Sequence, residues 1–419
     1  MKFGMEGLEG RTVALSQGKA IGGSSAINAH VFVPPAKSLI DVWEELGNEG
    51  WGWDVMQKYF AKAYTSPPLV SSSSKMGSTA AAAGDDNDNG KENLMEKMLG
   101  IDGWAARNDA AKGPIKTSFA GNPAHPIRQA WAEAFAARGR SMANDPFLHG
   151  TVGSFSALSS IHPETKARSY AGSAYYHPIK ERANLCVLQN AAVERILFDT
   201  NNSSKPPRAT GVQYKHGGDE AKTAAASKEV LLAAGVLQSP KILELSGIGD
   251  GELLRRHGVE AVVADLPAVG ENLHDHLVCY IGYEAADGMD TLDALIRREP
   301  EAIGRAMREY AAATPPGGML TSVGVYTYAY LSLMDYCAET EGEGDAEGGQ
   351  EGREFLRDLL RQHRPSDGDG DGDTDSTSKA RARAYYDIAE KTLLSPSEPS
   401  GAYLTATSPA VPPPTIMKS

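Results

Sequence analysis

Cysteine is scarce in this sequence. Only Cys186, Cys279 and Cys337 occur among 419 residues. Their wide spacing excludes a dense disulfide framework and the paired spacings of zinc sites. No apolar run reaches the roughly 20 residues that a bilayer-spanning helix needs, so no transmembrane segment is expected. The opening residues MKFGMEGLEG lack an apolar h-region, so no signal peptide is expected either. Positive charge does not prevail: 41 Lys and Arg stand against 54 Asp and Glu, for a formal net charge of −13. Such a surface repels nucleic acid and anionic membranes, so neither is an expected partner. No internal repeat is found.

What is present is enough apolar material for a sizeable core, 41% of residues, and 44 glycines. The length allows two or three domains. Residues 66–90 are low in complexity and read as a surface insertion or flexible loop. Residues 339–378 are acidic and glycine-rich and read as a disordered linker. Within them DGDGDGDTD resembles a calcium loop, but a loop opening at Asp367 has Ser378 at its twelfth position, where a bidentate Glu is required. No metal is therefore expected.

Periodicity supplies a few elements. Ile127, Ala130, Trp131, Ala134 and Phe135 recur at helical spacing, and Gly139 is placed to end that helix. Residues 184–198 read as a hairpin or two consecutive strands, and ATGVQYKH as another strand. KEVLLAAG reads as a buried strand, and LQSPKILELSGIG after it opens a helix. The stretch PSGAYLTA begins like a strand. GIGDGE at 247–252 is superficially a dinucleotide turn. It follows a helical segment and lacks the third glycine, so it is rejected.

The most informative segment is GKAIGGSSAINAHVFV, residues 18–33. Gly22 and Gly23 remove two Cβ atoms in a row. Ser24 and Ser25 add hydroxyls, and an apolar helical stretch is expected next. This arrangement suits a phosphate or cofactor approaching a helix N-terminus. Alone, a Gly-Gly-Ser-Ser run is more often an ordinary turn.

The context changes that weighting. GK-x-IGGSSAIN followed by DVWEELGNEGWGWDVMQKYF resembles the first signature region of glucose–methanol–choline oxidoreductases. VLLAAGVLQSPKILELSGIG, at 230–249, is similar to the family's second signature, and DLPAVGENLHDH, at 265–276, to a loop near the flavin. RSYAGSAYYHPIKERANLCVLQNAAVERILF also fits between them, and TPPGGMLTSVGVYTYAYL beyond them. The resemblance implies an α/β flavoprotein with a Rossmann-like FAD-binding domain and a substrate domain on an antiparallel sheet. Both are expected to be partial here, over 1–280 and 281–419. It implies FAD as cofactor and a small-molecule alcohol as substrate, oxidised at its CH–OH group. Carried over by position, the flavin-proximal residues are Ala20, Gly22, Gly23, Ser24, Ser25, Asn28, Ala29, His30 and Val31. Val193 matches the valine whose backbone meets the adenine. Gly235 would allow close approach of the adenosine end. For His30 a backbone contact with a spectator ring is favoured over a base. Trp43, Trp51 and Trp53 are assigned to core packing.

Two departures bear on activity. The family opens with a strand, a G-x-G-x-x-G turn and a helix, and no such motif precedes Gly18. The family's late histidine, paired with a second histidine or asparagine, takes the alcohol proton, and no such pair follows residue 334. The chain is therefore expected to be truncated at both ends relative to the family. His363 reads as a solvent-exposed side chain, and His274 and His276 as weak catalytic candidates. The competing reading is a non-catalytic remnant of such an enzyme, or an incomplete gene model.

Overall fold

A computed structural model describes residues 2–4, 12–65, 112–119, 125–142, 146, 152–199, 206–218, 220–289, 291–312, 316–321, 324–335, 346–365 and 376–407. The insertion expected at 66–90 and the DGDGDGDTD run lie outside the described residues. The fold is mixed α/β with antiparallel sheets. It forms two compact units, each discontinuous in sequence. One comprises Met1–Gln17 and Ile179–Cys279, the other Gly18–Pro178 and Tyr280–Ser419.

In the first unit, the strands Ala191–Asp199, Arg208–His216 and Ala221–Ala225 form an antiparallel meander. The helix Gln238–Leu245 packs on it, burying Ile242 against a sheet that contributes buried Ile196. Gly247, at φ 84°, ends this helix in the left-handed conformation, where a Cβ would lie 2.2 Å from the Ala261 carbonyl. Asp250 then starts the next helix, Gly251–Arg256, by accepting the N–H groups of Glu252 and Leu253. GIGDGE is thus a helix stop and a helix start.

The second unit is built on the strands Gly153–Ser156, Val325–Leu331 and Gly401–Ala406, with Val325–Leu331 central. This ladder ties the last third of the chain to residues near 155. The expected helix is present over Pro126–Ala137, with proline in its first turn and Gly139 at φ 64° beyond its end. Its Trp131 indole N–H donates to the Tyr328 carbonyl. Arg128 and Ala132 are buried. Phe155, Tyr328 and Tyr330 pack their rings together, and Ala329 is wholly buried.

Several expectations need correction. KEVLLAAG forms no strand. A buried strand needs a ladder partner and a covering layer, and among the described residues it has neither, so Leu231 is 82% exposed. Of residues 184–198, only the second run is a strand; Asn190, at φ 53°, turns the chain just before it. Its hairpin partner is Arg208–His216. The acidic stretch holds a helix, Ala346–His363, whose second half is rich in Arg and Leu. Arg357 pairs with Glu390 and Arg364 with Asp387 on the helix Ser376–Leu393. Trp53 is buried, as core packing requires. Trp43 and Trp51 are more than half exposed and stack on one another, centroids 6.0 Å apart.

Candidate functional site

The segment Gly18–Phe32 lies in the second unit. The apolar helix expected after the glycine pair is only a four-residue 3₁₀ turn, Gly23–Ala26. Asn28 and a left-handed His30, at φ 61°, stop it, and the short strand Val31–Phe32 pairs with Leu158–Ser159.

The two glycines have different reasons to be glycine. Gly22 is left-handed at φ 92°, and a Cβ there would lie 2.7 Å from both the Gly172 nitrogen and Tyr170 Cδ2. This backbone is pressed against the Tyr170–Gly172 segment. At Gly23, φ 55°, a Cβ would meet nothing within 4 Å. Its side of the turn is open, and Ser24, Ile27, Asn28 and Ala29 are exposed beside it.

The hydroxyls work inward. Ser24 Oγ accepts the Gly18 N–H at 3.1 Å. Ser25 Oγ donates to the Gly22 carbonyl and accepts the Ala171 N–H at 3.2 Å. Ala171 borders a one-turn π helix, Gly172–Tyr176, a distortion common at functional sites. Arg168 crosses the loop, and its Nη1 donates to the Ser25 carbonyl at 3.2 Å and to Asn28 Oδ1 at 2.8 Å. The same Asn28 oxygen accepts the His30 N–H. The His30 carbonyl accepts the Ser160 N–H at 2.8 Å.

His30 Nδ1 is buried with no hydrogen-bond partner among the described residues. Burial, and then the Arg168 charge, push its pKa below the usual histidine value. Both effects favour the neutral ring. Burial also lowers the Arg168 pKa.

The structure thus gathers Ala20, Gly22, Gly23, Ser24, Ser25, Asn28, Ala29, His30 and Val31 into one turn and loop. Val193 belongs to the other unit, on the strand Ala191–Asp199, partly exposed and paired with Tyr214. Gly235, also in that unit, is left-handed at φ 88°, and the residue that approaches it is Gln17, whose amide donates to the Ala234 carbonyl. Site reading by position passed over Ser160, Arg168 and Tyr170. Arg168 and Tyr170 stand in RSYAGSAYYHP and Ser160 lies before it; contacts some 140 residues apart leave no local pattern. His274 and His276 lie in an exposed stretch without regular structure. No cluster of metal-binding side chains occurs among the described residues. No helix among them is long and apolar enough to cross a membrane.

A mixed α/β fold with an antiparallel sheet and a glycine–serine turn opening onto a clamped loop defines the class. The chain belongs to the GMC oxidoreductase family, whose model matches residues 4–278. It is 33% identical over 286 residues to the GMC oxidoreductase family protein Mala s 12 of Malassezia sympodialis, covering 68% of this chain and 42% of that protein. It is 34% identical over 275 residues to human mitochondrial choline dehydrogenase, covering 66% and 39%. The FAD-dependent oxidoreductase from Chaetomium thermophilum superposes with a TM-score of 0.73 at 26% identity, over 96% of this chain and 61% of that one. The chain spans less than half the length of these two curated relatives.

Proposed function

We propose that the turn and loop Ala20–Val31 face the flavin ring of FAD, in a protein that oxidises small-molecule alcohols at the CH–OH group. The observation that carries this reading is the contrast between the two glycines. Gly22 is packed against protein, whereas Gly23 leaves one side of the turn open beside exposed Ser24, Asn28 and Ala29. The buried His30 Nδ1 adds a polar group that has no hydrogen-bond partner among the described residues. These residues fit a planar, hydrogen-bonding ring approaching the backbone.

In this reading FAD supplies a hydride acceptor for the carbon that bears the alcohol. The chain's own residues bind and orient. Gly23 admits close approach, and the loop 28–31 presents backbone groups. Residues 1–280 are assigned to the FAD side and 281–419 to the substrate side. His30 stays neutral and contributes through its backbone. None of the described residues is assigned the proton transfer.

A second reading, a non-catalytic remnant, is favoured by one observation. Leu277 and Tyr283 are 90% and 89% exposed in a stretch without regular structure, with no ladder partner among the described residues. Covered apolar strands are the rule in an assembled oxidoreductase domain.

The test is to purify the 419-residue chain, titrate it with FAD by fluorescence quenching, and assay primary and aryl alcohols. Weak, saturable FAD binding without turnover is expected. Absence of any quenching would overturn the cofactor reading. Stoichiometric yellow protein bleached by alcohol would overturn the remnant reading.

A further inference from the structure

The loop that follows the 3₁₀ turn is not self-supporting. It holds a non-glycine residue, His30, in the left-handed region, a conformation that persists only where its surroundings over-determine it. Three bonds do so. Asn28 Oδ1 accepts the His30 N–H, the Ser160 N–H donates to the His30 carbonyl, and Asn28 Oδ1 is itself fixed by Arg168. One guanidinium nitrogen, Nη1, reaches both ends of the loop, the Ser25 carbonyl and the Asn28 side chain. Both acceptors are neutral groups.

We propose that Arg168 is a positioning residue for the cofactor: its guanidinium clamps Ser25 to Asn28 and so holds the Asn28–His30 backbone in the conformation that receives the flavin. The inference rests on the FAD reading above and deepens it. Arg168 acts through Asn28 and takes no part in the chemistry. Both bonds come from Nη1, and a lysine ammonium ends one bond short of that position on a flexible stem rather than a rigid planar group. Arg168→Lys therefore keeps the charge while removing the clamp.

The experiment uses the full chain and reads two quantities. The first is hydrogen exchange at the His30 amide without flavin. The second is FAD affinity, with the vibronic shape of the bound flavin's absorbance. R168K is expected to speed exchange at His30, to weaken FAD binding about tenfold and to blur the flavin band. N28A, which removes the shared oxygen, is expected to act alike, and R168K/N28A to be no worse than either single variant, because one clamp is lost once. Millimolar guanidinium is expected to restore FAD binding to R168A, which separates a missing clamp from a misfolded chain.

FAD affinity within about twofold of wild type in R168K, or additive losses in the double variant, would overturn the proposal. Equal His30 exchange in wild type and R168K would overturn the clamp whatever the titration shows. Failure of the wild-type chain to bind FAD overturns the cofactor reading and, with it, the cofactor role of Arg168. That failure is told apart from failure of the clamp because the exchange difference at His30 then persists.

Discussion

The hydroxyl of Ser246 accepts the backbone N–H of Ile196 at 2.8 Å and donates to the carbonyl of Ile242. One side chain thus joins the end of the helix Gln238–Leu245 to the middle of the strand Ala191–Asp199. Ser246 is 8% exposed and Ile196 7%, so water cannot replace the lost acceptor. Ser246→Ala is expected to destabilise the chain by about 1–3 kcal/mol, the cost of leaving a buried amide unpaired. Urea unfolding reads this, with hydrogen exchange at Ile196 as the local probe. An unchanged midpoint would contradict it.

The glycine pair should respond unequally to alanine. At Gly23 the cost is conformational alone, about 1 kcal/mol for a left-handed residue with a Cβ. At Gly22 the same cost is joined by contact with Gly172 and Tyr170 at 2.7 Å, and the total is expected to reach about 2–4 kcal/mol. Thermal unfolding of G22A and G23A side by side decides it. G23A at least as destabilised as G22A would show that the packed side of the turn has been assigned to the wrong glycine.

His30 predicts a pH dependence of stability. Its folded pKa lies below the unfolded value of about 6.5, by burial first and the Arg168 charge second. The unfolded chain therefore binds more protons in the window below that value, and stability falls as the pH drops through it. The contribution is fully present above the unfolded pKa. His30→Asn, which tolerates the left-handed backbone, should flatten this part of the profile. Urea midpoints from neutral to mildly acidic pH test it, and parallel profiles for the two proteins would refute the assignment.

Tyr330 offers a simpler deletion. Its hydroxyl donates to the Pro34 carbonyl at 2.7 Å, joining the central strand to the segment that leads into the helix Lys37–Glu45. Burial raises its pKa well above that of a free phenol. Tyr330→Phe keeps the ring contacts with Phe155 and Tyr328 and removes only the bond. A loss of about 0.5–1.5 kcal/mol is expected, measured by chemical denaturation. A loss beyond about 3 kcal/mol would point to repacking of the ring.

Elements with a strong local signal were legible from residues alone. The helix Pro126–Ala137, its glycine stop, the strand Arg208–His216 and the helix Gln238–Leu245 each carry periodicity or punctuation that backbone geometry reads directly. KEVLLAAG carries an equally strong apolar signal and forms no strand, because strand formation depends on a neighbour that the run does not itself encode. The exposed pair Trp43 and Trp51 shows the same dependence. An aromatic side chain states its hydrophobicity but not which surface will cover it.

The amino-acid sequence by itself determined the family, through three ordered motifs, and marked the turn through two glycines without Cβ atoms. It also placed the cofactor-facing candidates from Ala20 to Val31 in one stretch. Only the tertiary structure decided which side of that turn is packed and which is open. It alone brought Arg168 onto Asn28 across 140 positions of chain. The reason is physical: backbone conformation is set by each residue and its neighbours, whereas a clamp between distant side chains exists only after the strands and turns that carry them have come together.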